Sequence, residues 1–184
     1  MSKVLIAGIG NVLLGDDGLG PFAIKVLESE YDFPDNVELA DLGTPGLDLP
    51  AHLAGADALI LVDSAKLGGE AGDIRLFRRQ ELLRDRPRAR IDPHSPALSE
   101  SIFLLELMGA MPRELLMIGM QGSSFEPGST LSTRVRLCIP HIIDAVRREL
   151  YRLNVWCAPK AKHHAPGIWW DSLRPDASSK ALLM

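Results

Sequence analysis

The sequence predicts an α/β sandwich, with helices packed on both faces of a mostly parallel sheet. Segments with strand character alternate along the chain with segments that have helical periodicity. The strand segments are almost continuously apolar, as in residues 58–62, and such runs are typical of parallel strands buried on both faces. With 184 residues, of which 46% are hydrophobic, the chain can bury one substantial core without disulfides or a structural metal.

The first part of the chain alternates strands and helices at short intervals. The first apolar run meets glycines from Gly8 onward and therefore predicts a buried strand that enters a loop. Pro21 suits the first turn of a helix, whereas Pro50 disfavours the short helix around it. The predicted elements are a strand over 3–9, a helix over 21–31, a strand over 37–42, a short helix over 47–53 and a strand over 58–62.

Two further strands and two longer helices follow. Ser95 and Pro96 form a helix start signal, and Pro140 should kink the last helix because it lies inside the periodic segment. The strands are expected over 73–78 and 115–120. The first helix has Leu98, Ile102, Leu105 and Met108 at helical spacing, and the second, over about 133–153, has one apolar face of Ile139, Ile142, Ile143, Val146 and Leu150.

The character of the chain changes after Asn154. All three tryptophans, Trp156, Trp169 and Trp170, lie in a polar segment that is broken by prolines, and no regular element is expected there. We therefore divide the chain into an α/β domain over 1–154 and a tail over 155–184. The tryptophans of this tail could dock on the domain or on a partner.

Composition limits the classes of partner and compartment. A net charge of −4 lacks the basic character of a nucleic-acid-binding protein. Two cysteines are too few for a disulfide framework and fit a reducing compartment. The first apolar run, over residues 3–9, is too short for a signal peptide or a membrane span. We therefore expect a cytoplasmic protein with neither nucleic-acid nor membrane partners.

Acidic residues gather in the loops that follow the predicted strands. Asp16 and Asp17 follow the first strand, Asp41 follows the second and Asp63 follows the third, while His94 precedes a later helix. The carboxyl ends of the strands form the usual ligand site of an open α/β sheet. Carboxylates together with an imidazole suit a divalent metal or an acid/base pair.

The same residues also have ordinary structural interpretations. Asp16 or Asp17 could cap the helix that follows Gly18. Asp63 could form a turn at the end of a strand, and His94 could bond to the backbone. Considered residue by residue, the sequence leaves metal binding, acid/base chemistry and these structural roles open.

Other catalytic motifs fit less well. The dinucleotide-binding pattern Gly-x-Gly-x-x-Gly fails because Leu13 stands where the third glycine belongs. Asp41 lies at the distance of a ribose-binding acid, so a nucleotide-binding enzyme remains an alternative. The sequence has no Gly-x-Ser-x-Gly, His-Glu-x-x-His, Walker or Cys-x-x-Cys motif.

A set of short motifs occurs in a specific order over about residues 3–153. They are Gly8-Ile9-Gly10-Asn11, Gly15-Asp16-Asp17-Gly18 with Gly20, Asp41-Leu42-Gly43-Thr44, Val62-Asp63, Pro93-His94, Gly119-Met120-Gln121, and Gly128 with Leu131-Ser132. Together they resemble the nickel–iron (NiFe) hydrogenase maturation endopeptidases. The resemblance implies a three-layer α/β/α domain of the phosphorylase/hydrolase-like kind. It also implies an activity, the removal of a short C-terminal extension from the hydrogenase large-subunit precursor after nickel insertion.

The resemblance further implies the site residues. The family's acidic residue of the first glycine loop, its aspartate after the third strand and its later histidine correspond to Asp17, Asp63 and His94, which would be both catalytic and nickel-recognising. Nickel accepts carboxylate and imidazole ligands and would arrive with the precursor, so no cofactor of the protein's own is expected. Relatives often have glutamate at position 17 and glycine at position 42, where this chain has Asp17 and Leu42. The alternative is a non-catalytic binding protein or chaperone for the metallated subunit.

Overall fold

The computed structural model describes residues 2–84, 98–162, 164–168 and 170. These residues form seven strands and five helices. The strands are β1 (Val4–Ile9), β2 (Tyr31–Asp32), β3 (Val37–Gly43), β4 (Ala58–Ser64), β5 (Ile74–Arg78), β6 (Glu114–Met120) and β7 (Ala158–Pro159). The helices are α1 (Leu19–Glu30), α2 (Leu49–Leu53), α3 (Arg79–Arg84), α4 (Leu98–Leu107) and α5 (Thr133–Arg152).

Five strands form a central sheet in the order β3-β1-β4-β6-β5. The four strands β3, β1, β4 and β6 run parallel to one another. The edge strand β5 pairs with β6 in the antiparallel direction. The residues of β4 from Ala58 to Val62 are all buried, because this strand lies in the middle of the sheet and is covered on both faces. The predicted mostly parallel sheet is therefore confirmed.

Helices cover both faces of this sheet, so the predicted three-layer α/β/α sandwich is confirmed as well. One apolar cluster joins α1 and α5 to alternate residues of the strands, among them Ile6, Ile60 and Ile118. The other cluster joins α2, α3 and α4 to the intervening residues, such as Leu61 and Met117. Because side chains alternate between the faces of a strand, the apolar runs supply both cores.

The predicted helices agree with the structure except at particular residues. The five apolar residues predicted for α5 are buried, and Pro140 lies inside this helix. In α4, Ile102 and Leu105 are buried, but Met108 is 65% exposed and follows the helix, so its expected place on the apolar face is wrong. The predicted cap at Ser95-Pro96 lies outside the described residues. α3 was not predicted.

The segment after α5 contains a regular element that the sequence does not predict. The two-residue strand β7 pairs antiparallel with β2, so the expectation of no regular structure is wrong at residues 158–159. Trp170 is only 3% exposed and belongs to the apolar cluster of α1 and α5. Trp156 is 69% exposed and lies edge-on against Tyr151. The division of the chain at residue 154 stays a prediction, and Trp169 lies outside the described residues.

No helix in the described part of the chain is both long and apolar enough to cross a membrane.

Candidate functional site

A glycine-rich loop connects β1 to α1 at the carboxyl end of the sheet. Its last part is a 3-10 turn, Gly15–Gly18, which carries Asp16 and Asp17. The first turn of α1 packs directly against the ends of β1 and β4. A Cβ atom at Gly20 would lie closer than 3.0 Å to the backbone of Ile9 and 2.5 Å from the carbonyl oxygen of Val62. Only glycine permits this close approach.

Asp16 is fully buried and connects the glycine-rich loop to the loop that follows β6. Its Oδ2 accepts hydrogen bonds from the backbone N–H of Ser123 (2.8 Å), the hydroxyl of Ser123 (3.1 Å) and the N–H of Ser124 (3.0 Å). Its Oδ1 accepts one from the N–H of Ser132 (2.6 Å), the residue that caps α5. Burial raises the pKa of the Asp16 carboxyl, but these N–H donors outweigh it and hold the pKa below its ordinary value.

Asp17 is half-buried and faces a different set of partners. Its Oδ2 accepts a hydrogen bond from the N–H of Asn11 (3.1 Å), and its Oδ1 accepts one from the hydroxyl of Ser64 (3.1 Å). α1 begins after Gly18 without a side-chain cap, so neither Asp16 nor Asp17 has the helix-capping role considered from the sequence. Asp16 instead binds groups of the loop after β6, whereas Asp17 binds a backbone N–H of its own glycine-rich loop and a hydroxyl group of β4.

Asp63 is the penultimate residue of β4, where it pairs with Gly119 of β6 and is half-buried. Its neighbour Ser64 donates the hydrogen bond to Asp17. The glycine-rich loop is therefore connected directly to the end of the strand that carries Asp63. The hydroxyl of Ser64 makes this connection. The sequence alone does not indicate this role, because Ser64 is only the neighbour of the predicted aspartate.

Asp41 lies near the carboxyl end of β3, at the same end of the parallel strands as the glycine-rich loop. The residue is exposed, and its Oδ1 accepts a hydrogen bond from the N–H of Gly43 (3.1 Å) to form a local turn. The N–H of Gly10 donates to the carbonyl of Gly43 (2.8 Å), which ties this turn to the glycine-rich loop. The acidic loops after β1, β3 and β4 thus meet at one edge, as parallel strands require.

His94 lies outside the described residues, so its place relative to Asp17 and Asp63 stays a prediction. Within the part of the chain that the structure describes, no three His, Cys, Asp or Glu side chains are grouped closely enough to hold a metal ion. Two aspartates at the edge of the sheet can supply carboxylate oxygens to a divalent ion. A third protein ligand would have to come from the predicted histidine or from a bound partner.

Sequence reasoning did not find the buried role of Asp16 or its partners Ser123 and Ser124. These serines lie 107 and 108 residues away along the chain, so no local spacing indicates them. Gln121, which appears in one of the sequence motifs, has a similar connecting role. Its Oε1 accepts a hydrogen bond from the N–H of Leu67 (2.7 Å), which holds the loop after β4 against the loop after β6.

The geometry of the glycine-rich loop disfavours the nucleotide-binding alternative. In dinucleotide sites, the backbone of such a loop approaches a pyrophosphate. Here the N–H of Asn11 donates to the carboxylate of Asp17, so a negative charge of the protein itself occupies this position. A phosphate group would be repelled by this carboxylate.

Comparisons with known proteins agree on one family. Residues 22–149 match the model of the HycI hydrogenase maturation protease family. The chain is 38% identical over 135 residues to hydrogenase expression/formation protein HoxM of Azotobacter vinelandii, a match that covers 73% of this chain and 65% of that protein. It is 30% identical over 162 residues to hydrogenase 2 maturation protease of Escherichia coli, covering 88% of this chain and 99% of the relative. The structure of the hydrogenase maturating endopeptidase HybD from E. coli superposes with a TM-score of 0.80 at 29% identity, over 86% of this chain and 98% of that one.

Proposed function

Because this chain belongs to the hydrogenase maturation protease family, we propose that it removes the C-terminal extension of a nickel–iron hydrogenase large-subunit precursor after nickel insertion. On this proposal the protein is an endopeptidase, as the family to which it belongs supports. The precursor is the proposed partner, and nickel belongs to this substrate. The cytoplasm is the predicted compartment, consistent with Cys138 and Cys157 as free thiols.

One observation carries the proposal, namely the way in which the structure orients Asp17. The N–H of Asn11 and the hydroxyl of Ser64 bind the two oxygens of this carboxylate at 3.1 Å each. Carboxylates that bind metals are commonly oriented by such hydrogen bonds. Since Ser64 adjoins Asp63 in β4, the same contact brings the glycine-rich loop to the end of the strand that carries the second proposed nickel ligand.

In this proposal, Asp17, Asp63 and His94 recognise the nickel ion that the precursor carries. Two carboxylates and one imidazole complete the coordination of an ion that the precursor already holds, so affinity is high only after nickel insertion. Hydrolysis also requires that the peptide carbonyl is polarised or that a water is activated close to the ion. Neither step requires a serine or cysteine nucleophile. We also propose that the loop of Asp41, which is tied to the glycine-rich loop through Gly43, contacts the precursor.

The decisive experiment compares nickel-loaded and nickel-free precursor. Each is incubated with the purified protein, and the mass of the large subunit is followed. We expect loss of the C-terminal peptide from the nickel-loaded form only. A stable complex without cleavage would favour the alternative, a non-catalytic chaperone of the metallated subunit. Equal cleavage of both forms would contradict recognition through nickel.

Substitutions test the proposed site. Asp63→Ala and His94→Ala should abolish processing, and Asp17→Asn should reduce it strongly, because the amide keeps an acceptor oxygen but loses the charge. Asp57→Asn is a matched control, since Asp57 is exposed and lies at the opposite edge of the sheet, where it accepts a hydrogen bond from the N–H of Lys3. A variant that is folded by circular dichroism but cleaves at the normal rate would remove its residue from the site.

A further inference from the structure

The outer side of the glycine-rich loop is covered by a residue far along the chain. Trp170 is 3% exposed and packs into the apolar cluster of α1 and α5. It lies 21 residues beyond the end of the region that matches the family, Glu149. Ile168 packs against the same cluster. The segment that contains both residues therefore belongs to the folded body at this point.

Trp170 is a neighbour of the turn that carries Asp17. Together with Val12, Gly15 and Gly18 it borders a cavity of only about 10 Å³. This volume is at the lower limit for a single water molecule. Trp170 and the glycine-rich loop are thus neighbours across a space too small to hold a ligand. The remaining residues around the cavity are Phe22, Thr130, Leu131 and Arg136.

The path of the chain explains how Trp170 reaches this loop. The N–H of Lys160 donates to the carbonyl of Glu30, the last residue of α1, and its Nζ donates to the carbonyl of Glu28. Trp170 lies beside Phe22 and Gly18, at the beginning of the same helix. These two contacts lie at opposite ends of α1, which is about 18 Å long for its twelve residues. One end is held by hydrogen bonds and the other by the buried indole.

The glycine-rich loop needs such external contacts to keep one conformation. Gly10 and Gly15 have φ values of 139° and 55°, which favour glycine, and glycine loses more conformational entropy on ordering than other residues. On its inner side, the buried carboxylate of Asp16 anchors the turn to the loop after β6. On another side, Trp170 borders a small cavity together with Gly15 and Gly18 and packs into the apolar cluster of α1 and α5. The turn Gly15–Gly18 is held between these two contacts.

We propose that Trp170 is a positioning residue for Asp17. By packing on the turn Gly15–Gly18, the indole reduces the number of conformations open to the Asp17 carboxylate and keeps it at the end of β4. The expected effect of Trp170 on precursor processing rests on the proposed function, whereas its expected effect on the conformation of the glycine-rich loop does not.

Hydrogen exchange of the full-length protein, followed by mass spectrometry, tests the effect on the loop. In Trp170→Ala, peptides that cover residues 10–18 should exchange ~10-fold faster, while peptides of β4 should exchange at the wild-type rate, as expected for local opening. Trp170→Phe should restore most of the protection. Trp156→Ala is the matched control, because this tryptophan is exposed, and it should leave the loop unchanged. Unchanged exchange at 10–18 in Trp170→Ala, or equal acceleration in the loop and β4, would overturn the proposal.

A double-mutant cycle tests whether Trp170 acts through Asp17. The measured quantity is the Kd for nickel-loaded precursor whose scissile bond has been made resistant to cleavage, so that binding is followed without turnover. Trp170→Ala should weaken binding ~10-fold in the wild-type background but less than about twofold in the Asp17→Asn background, because coupled residues are not additive. Equal weakening in both backgrounds would refute action through Asp17. If the wild-type protein does not bind the precursor, the proposed function fails, and the exchange experiment still decides the role of Trp170.

Discussion

Replacing Asp16 by asparagine should destabilise the fold considerably, although the two side chains have nearly the same shape. The carboxylate accepts four hydrogen bonds, three at Oδ2 and one at Oδ1. An asparagine can place its carbonyl oxygen toward Ser123 and Ser124, but its amino group then faces the N–H of Ser132. The buried N–H of Ser132 then loses its acceptor. The three hydrogen bonds from Ser123 and Ser124 are then made to a neutral oxygen instead of a charged one.

The size of the effect follows from these bonds. Hydrogen bonds to a charged group contribute about 1.5–3 kcal/mol and neutral ones about 0.5–1.5 kcal/mol, so three weakened bonds cost about 3 kcal/mol together. The unpaired N–H of Ser132 adds about 1–3 kcal/mol. Burying a neutral amide instead of a charge recovers about 1–3 kcal/mol. We therefore expect Asp16→Asn to lower the free energy of unfolding by about 1–5 kcal/mol.

Urea unfolding at pH 7 measures this difference. The midpoint should fall while the slope m is unchanged, because a change in stability alone does not alter the surface exposed on unfolding. Asp57→Asn makes the same substitution at an exposed site and should change the free energy by less than about 0.5 kcal/mol. If Asp16→Asn unfolds within 0.5 kcal/mol of the wild type, the reasoning from these hydrogen bonds is wrong.

The pH dependence supplies an independent check. The pKa of Asp16 in the folded protein lies below its ordinary value of 3.8, so the unfolded state binds this proton first as the pH falls. The stabilisation is fully present above the unfolded pKa and is lost as the pH falls through the folded pKa. The free-energy difference between wild type and Asp16→Asn should therefore be constant from about pH 5 to 7 and shrink below about pH 4. A difference that stays constant down to pH 3 would contradict this account.

Three further predictions follow from the same structure. Gly20→Ala should lower the free energy of unfolding by about 2–4 kcal/mol in urea unfolding, because its Cβ would overlap the backbone of Ile9, whereas Gly167→Ala, with open space around the Cβ, should have little effect. Glu149→Gln should cost about 2–4 kcal/mol by the same measurement, because Glu149 is 4% exposed and its carboxylate binds both Arg78, at 2.5 and 2.7 Å, and Arg152; a near-neutral result would show that these two ion pairs add nothing to stability. The isolated protein should bind nickel only weakly in calorimetric titrations, because the precursor supplies the remaining ligands; stoichiometric nickel in protein purified without precursor would favour a resident catalytic ion instead.

The sequence alone determined the class of the fold and its main elements. Residues 58–62 form the central strand β4, and the apolar face of α5 lies where its periodicity places it. Both results depend on local patterns, since a strand buried on two faces must be apolar throughout and a helix on a sheet must be apolar along one stripe. The ordered motifs also indicated the family.

The tertiary structure decided which of two adjacent aspartates is a buried anchor of the loop and which belongs to the proposed site. Asp16 and Asp17 are equivalent by composition and position in the sequence, yet one is buried among backbone amides more than 100 residues away and the other is oriented by Ser64 toward the edge of the sheet. The same holds for two tryptophans of one segment, because Trp170 is buried in the apolar cluster of α1 and α5 and Trp156 is exposed. Periodicity reports only what neighbours along the chain share, whereas burial and hydrogen bonding depend on the loops that the parallel strands bring together.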